Sequence, residues 1–458
     1  MTGARPSPET DLEHKVSRSV LMIVYYYPPL GGIGSQRTLK LAKYLTRIGW
    51  EPTVLTVGVN TIATVPCDES AGALDGVRVL RSRNPDLVFR FKRLLGFDTS
   101  QRVAVRLAAD DASGGRLARL KKRAAKWALG WLGIPDRVVD WYPWAAREAD
   151  RICRELKPSV IYSSSPPETC HLVAAHAADK AGIPWVADFR DPWIRSYDYG
   201  RSGAARRLNR LICRRTTSRA DRVVAVSDAF LRQVASDCPE ARTGPVIPNG
   251  FDREDFDSVE PVASEGFNIF YAGNMYYPDQ DPSPFFEAIG LLRDRGVPVS
   301  PLKFQYAGPS SRLVEELADR FGVKQHVTTL DQIPYAESIA RQKGACALLF
   351  VQWRAGTENV LTGKLLEYLG AQRPILACVP EPGPVDSLLS ETLAGAAGRD
   401  PEELAGILEA WLTEFRESGA LSYHGRADEV ERYSHVNMAA SFSRLFNELT
   451  QAGHSEPG

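Results

Sequence analysis

Cysteine is sparse and unpatterned in this chain of 458 residues. Its seven cysteines, Cys67, Cys153, Cys170, Cys213, Cys238, Cys346 and Cys378, form no C-x-x-C pair and are odd in number. That excludes a disulfide framework and a cysteine zinc site, and reduced thiols point to the cytoplasm. Net charge is also missing: 56 basic residues balance 56 acidic ones. A general nucleic-acid binder normally carries a basic excess, so no nucleic-acid partner is expected. No run approaches the ~18 consecutive apolar residues that a spanning helix needs. Residues 1–18 are polar and lack an apolar stretch, so they read as a disordered tail, neither a signal peptide nor an anchor. What is present is an ordinary globular composition, 44% apolar, in a chain too long for one typical core, so two domains are expected.

Residues 20–26 form a continuous apolar run that reads as a buried parallel strand. The turn PPLGGIGS, a helix over about 36–48 and a strand at 53–57 follow, which makes a βαβ unit. Further strands are predicted at 78–80, 159–162, 185–187, 222–226 and 245–247, most of them separated by helical patterns. The segment VIPNGFD, ending at Asp252, closes this half with turn chemistry, and an acidic, loose linker, DREDFDSVEPVASEG, follows. The second half starts again with strands at 268–271, 303–306, 327–330, 346–351 and 375–379. Helices are predicted at 284–295, 312–321, 335–342 and 401–415, with a final amphipathic helix at 437–449. The expected organisation is an N-terminal Rossmann-like domain at 19–252, a second at 265–430, and a C-terminal helix and tail at 431–458. Two such domains place binding sites at the carboxyl ends of their strands.

The densest chemistry lies in GTENVLTGKLLEYLGAQRPIL, from Gly356 to Leu376, where a polar loop opens a helix that a strand follows. Unpaired N–H groups and a positive dipole end at such a helix start attract phosphates. Leu361, Thr362 and Lys364 are placed to hold a diphosphate, and Glu367, about one turn on, can accept two hydrogen bonds from a ribose diol. This run resembles the donor-site signature of family-four retaining glycosyltransferases, α/β proteins of the GT-B fold. The resemblance implies two doubly wound domains facing across a cleft, a C-terminal helix that crosses back to the first, and Glu367 as the ribose ligand. It also implies a second glutamate with seven residues between. Asn359 stands there and Glu358 comes one place early, so either takes the donor-sugar contact.

Other segments follow the family less closely. Gly31, Gly32, Ile33 and Gly34 lie between a strand and a helix, but strand 53–57 ends without the carboxylate that a nicotinamide binder needs. The resemblance instead turns Gly32 and Gly34 toward the donor; a plain tight turn is the alternative. Arg37 is expected to contact acceptor or phosphate. Asp188-Phe189-Arg190-Asp191-Pro192-Trp193 places two carboxylates and a guanidinium at a strand end. Arg190 and Asp191 are read as catalytic and Asp188 as an acceptor contact, with an Asp–Arg staple as the alternative. Tyr271-Ala272-Gly273-Asn274 ends a strand where family members carry two cations; here Asn274 offers one hydrogen bond and Lys364 bears more of the diphosphate. Gly308 matches a loop beneath the nucleobase, and an ordinary turn is favoured there.

Residues 88–97 and 115–135 mix cations with aromatic residues and are read as a basic amphipathic insertion at about 86–135, suited to an anionic membrane surface or to packing on the domain. Ser163, Ser164, Ser165 and His171 lack a G-x-S-x-G elbow, and a strand-to-helix turn explains them. The strings Asp255/Asp257 and Asp279/Asp281 are read as acidic turns, so no metal and no cofactor is expected. The reading is a retaining glycosyltransferase that uses a UDP- or GDP-linked sugar and a lipid-linked or polysaccharide acceptor, cytoplasmic or peripheral at the inner face of the membrane. A GT-B epimerase or hydrolase and an inactive nucleotide-sugar-binding scaffold are the alternatives.

Overall fold

The computed structural model describes residues 18–30, 33–58, 74–87, 131, 133–194, 203–354 and 361–452. Among these residues two parallel sheets form. The first has the order β3-β2-β1-β4-β5-β6-β7 and the second β10-β9-β8-β11-β12-β13. In the first, β1 (Ser19–Ile23) lies between β2 (Glu51–Val57) and β4 (Val160–Ser165). Its Val20, Leu21, Met22 and Ile23 are fully buried, which is why the segment reads as an unbroken apolar run. The sheet continues to β3 (Arg78–Ser82) on one side and through β5 (Trp185–Phe189), β6 (Arg222–Ala225) and β7 (Thr243–Val246) on the other.

The second sheet repeats the plan with β8 (Phe267–Ala272) and β11 (Ala347–Val351) at its centre. Strands β9 (Leu302–Ala307) and β10 (Val327–Leu330) extend it one way, and β12 (Ile375–Cys378) and β13 (Gly395–Gly398) the other. Each sheet reverses its strand order at one point, between β1 and β4 and between β8 and β11. Such switch points open a crevice at the strands' carboxyl ends.

The helix His435–Ala452 crosses back onto the first sheet. Its Met438, Ala439, Phe442, Leu445 and Phe446 share a core with Val20, Met22, Tyr162 and Trp50, and their spacing is that of one helical face. Phe442 meets the Tyr162 ring edge-on at 5.3 Å. This is the crossing helix expected above.

Three local expectations change. The first helix begins at Ile33 rather than near 36, so Gly34 lies in its first turn. Ser163, Ser164 and Ser165 belong to β4 itself and are buried. The linker is not loose throughout: Arg253–Asp257 is a short helix capped by Asp252, whose side chain accepts from the Glu254 N–H. Asp252 also accepts from Lys40 at 2.7 Å, Lys43 at 2.6 Å and the Tyr44 hydroxyl at 2.5 Å. The linker is thus clamped to the first helix, Ile33–Arg47, and the partners hold the Asp252 carboxyl well below its ordinary range against the opposing effect of burial.

Candidate functional site

At the β8/β11 switch point, β8 runs out into Gly273, β9 into Gly308, and the helix Gly363–Ala371 begins opposite them. Gly273 has φ +116 and Gly308 φ +155, both in a region that favours glycine. A Cβ on Gly273 would stand 2.8 Å from the Lys364 Nζ, and one on Gly308 would stand 2.5 Å from the Gly273 carbonyl oxygen. The missing side chains therefore let two loops and a lysine converge. Tyr306 ties the loops together by donating its hydroxyl to the Gly273 carbonyl at 2.8 Å.

Thr362 caps the helix, its side chain accepting from the Leu365 N–H at 3.4 Å. Leu361 and Thr362 are partly exposed at that end. Lys364 folds back, donates to the Ala272 carbonyl and lies 3.7 Å from the centre of the Tyr271 ring. Burial pushes its ammonium down to about 7, partly offset by Glu367. An ammonium desolvated over an aromatic face is a cation that an arriving diphosphate can recruit. Glu367 accepts from Gln342 Nε2 at 2.8 Å. Burial raises its carboxyl, opposed by Gln342, Lys364 and Tyr335. Asn274 is exposed and donates to the Tyr276 hydroxyl at 2.8 Å. Lys364, Glu367, Gly308 and Gly273-Asn274 thus come together; Gly32, Glu358 and Asn359 lie outside the described residues.

The residues read from the first domain are placed differently. Arg37 and Asp188 are 2% and 0% exposed and face each other. Arg37 Nε and Nη2 each donate to the carboxylate at 2.9 Å, and its other donors reach the Ile247 and Pro248 carbonyls at 2.9 and 2.8 Å. Asp188 also accepts from the Tyr162 and Ser164 hydroxyls at 2.6 and 3.0 Å. Contact with an acceptor needs exposed polar atoms, so these two are corrected to a buried clamp between helix, strand and linker. Burial works against both charges, yet their mutual attraction raises the Arg37 guanidinium and lowers the Asp188 carboxyl.

Arg190 is half-buried and donates to the Ser165 and Pro166 carbonyls at 3.1 and 2.5 Å, stapling the β5 exit to the β4 exit. Asp191 next to it is half-buried. Ser163 does hydrogen-bond His171 Nδ1 at 2.8 Å, but His171 is fully buried and its imidazole is pushed down to about 3 by that burial. The pair is core, not a nucleophile with its base. Of the acidic strings, Asp255 pairs with Lys40 at 2.5 Å and Asp281 with Arg354 at 3.2 Å. Most of the basic insertion lies outside the described residues. Within them, no helix is long and apolar enough to cross a membrane.

Sequence reading passed over Gln342 as the partner of Glu367; the two stand 25 residues apart in sequence, and no local signal links them.

Two facing doubly wound sheets, a crossing C-terminal helix and a helix-start site at the second switch point define the class: this is a GT-B protein. Residues 99–255 match the family model described as Glycosyltransferase Family 4, and fold and match together make the chain a glycosyltransferase. Among solved structures, it is similar to sucrose-phosphate synthase from Thermosynechococcus elongatus, at 13% identity and TM-score 0.60 over 95% of this chain and 100% of that one. It is similar to Anabaena HepE in complex with UDP, at 13% identity and TM-score 0.58 over 94% and 100%. It also resembles the lipopolysaccharide outer core galactosyltransferase WaaB, at 14% identity and TM-score 0.52 over 94% and 99%. No curated protein sequence matches the chain.

Proposed function

We propose that the chain transfers a hexosyl group, with retention, from a UDP- or GDP-linked sugar to a lipid-linked or polysaccharide acceptor, on the cytoplasmic side of a membrane. The observation that carries this reading is Lys364, held over Tyr271 at the start of the helix that also bears Glu367. A leaving nucleoside diphosphate gains charge in the transition state. A helix dipole and a poised ammonium stabilise that charge where they already point at it. Glu367 takes the ribose, as family-four resemblance implies. Retention fits attack on the face from which the diphosphate leaves, with its phosphate oxygen as base. Arg190 and Asp191, with Glu358 or Asn359, are assigned to the sugar side, and Asn274 to the diphosphate. HepE is named with UDP, and with UDP and glucose, and WaaB as a lipopolysaccharide galactosyltransferase, which support the donor and acceptor classes.

The test is nucleoside-diphosphate release from UDP- and GDP-sugars by the purified protein, with and without membrane lipid extract. Lipid-dependent release, reduced about 100-fold or more in Glu367→Ala through loss of charged hydrogen bonds, is expected. Release indifferent to Glu367 contradicts the proposal.

A further inference from the structure

Where the family-four resemblance implies cations, the loop leaving β8 carries Tyr276 and Tyr277 instead. Tyr276 stacks on Trp353, which lies just beyond β11: the ring centres are 5.0 Å apart and the planes 30° apart. The pair therefore bridges the exits of the two strands that meet at the second switch point, and both side chains are half-buried. The hydroxyl of Tyr276 accepts from Asn274 Nδ2 at 2.8 Å. The Asn274 carbonyl in turn accepts from the Tyr271 hydroxyl at 2.8 Å, and Lys364 lies over the Tyr271 ring. A row of contacts thus runs from Lys364 to the aromatic pair.

The loop that carries Tyr276 is braced on both sides. Gln280 Nε2 donates to the Val351 carbonyl at 3.0 Å, the Arg354 N–H donates to the Asp279 carbonyl at 2.7 Å, and Arg354 pairs with Asp281 at 3.2 Å. On the β9 side, the Met275 N–H donates to Ser310 Oγ at 3.3 Å. The bonds that close this corner need neither ring, so packing of the loop does not by itself call for an aromatic pair. Rings held in this way lose little freedom when a ligand covers them. Tyr276 covers one face of Trp353. Among the described residues no second ring and no cation meets Trp353, and no hydrogen bond engages its indole N–H.

We infer that Tyr276 and Trp353 form a platform for a pyranose ring beside the diphosphate, and so read the sugar of the reaction rather than its nucleotide. The inference rests on the diphosphate lying at Lys364. A pyranose turns C–H groups outward from its faces, and the neighbouring oxygens leave them slightly positive; an aromatic face is negative, so the two attract. Hydroxyls at the rim of the sugar suit the indole N–H as acceptors. The pyranose is either the hexose of the donor or a sugar of the acceptor, since both lie next to the diphosphate during transfer.

The test is calorimetric binding of UDP, UDP-glucose, GDP and GDP-mannose to the full chain and to Trp353→Leu, Trp353→Phe and Tyr276→Leu, together with nucleoside-diphosphate release titrated with membrane lipid extract. Trp353→Leu and Tyr276→Leu are expected to weaken the nucleotide-sugar about 3- to 10-fold, the size of one aromatic contact, while the parent nucleotide binds as before. Trp353→Phe, which keeps an aromatic face, should recover most of the loss. That outcome supports the platform and assigns it to the donor hexose. Native binding of nucleotide and nucleotide-sugar, with a similar rise in the extract needed for half-maximal release, supports it and assigns it to the acceptor sugar. Equal weakening of nucleotide and nucleotide-sugar, or no change in either arm, overturns the platform and leaves the rings as a brace of the loop. A native protein that binds no nucleotide overturns the reading of Lys364 as well. Should Trp353→Leu fail to fold, Tyr276→Leu carries the same comparison.

Discussion

Lys364 concentrates the chemistry at the residue scale. It lies over Tyr271 with its ammonium brought down to about 7 by burial. A bound diphosphate adds negative charge beside it and raises that value, so binding takes up a proton wherever the free protein has lost one. Below about pH 7 the lysine is charged in both states and affinity is flat with respect to this group. Above it, affinity for UDP or GDP should fall as pH rises, by up to about tenfold per unit. Titration calorimetry between pH 7 and 9 measures this. Lys364→Met should bind more weakly and lose the slope, and an unchanged slope in that variant would assign the proton elsewhere. The Arg37–Asp188 pair has the opposite character: buried, mutually saturated and unavailable to a ligand. Its partners stand 151 residues apart in sequence, so each reads as a free charge at a strand or helix end until the fold brings them together.

At the scale of elements, the site is two glycine loops meeting one helix start. Gly273 is where this close approach is tightest, and alanine there would meet the Lys364 ammonium at 2.8 Å while also taking a strained φ of +116. Gly273→Ala should therefore displace the lysine and lower nucleotide affinity about tenfold or more, with a stability loss of about 1–3 kcal/mol from the backbone. Binding and thermal unfolding measured together separate the two effects; affinity unchanged in a folded variant would remove Lys364 from the site. Most elements were legible because each was a continuous apolar run or a one-faced helix: the predicted strand at 327–330 coincides with Val327–Leu330. Strand β13 was not, since Gly-Ala-Ala-Gly carries no strand preference and is held by pairing with β12 alone. The linker helix was hidden too. Its acidic composition suggests a loop, and it is stabilised by lysines and a tyrosine from a distant helix.

For the whole molecule, the nucleotide-proposed domain and the first domain are joined by charge rather than by a slack tether. Lys40 pairs with Asp255 and Lys43 with Glu254 of the linker, and the crossing helix packs Phe442 and Phe446 into the first core. Asp255 continues this seam to Tyr335. The helix-start site was legible because its residues are contiguous in sequence. The seam behind it was not, because its members come from four separate segments.

The measurement that tests the central claim most directly is a crystal structure of the protein with UDP or GDP bound. The account predicts the diphosphate at the start of the helix Gly363–Ala371, with Lys364 swung from the Ala272 carbonyl onto phosphate oxygen and both ribose hydroxyls on Glu367. A nucleotide bound elsewhere, with Lys364 still on Ala272 and Glu367 still on Gln342, would contradict it.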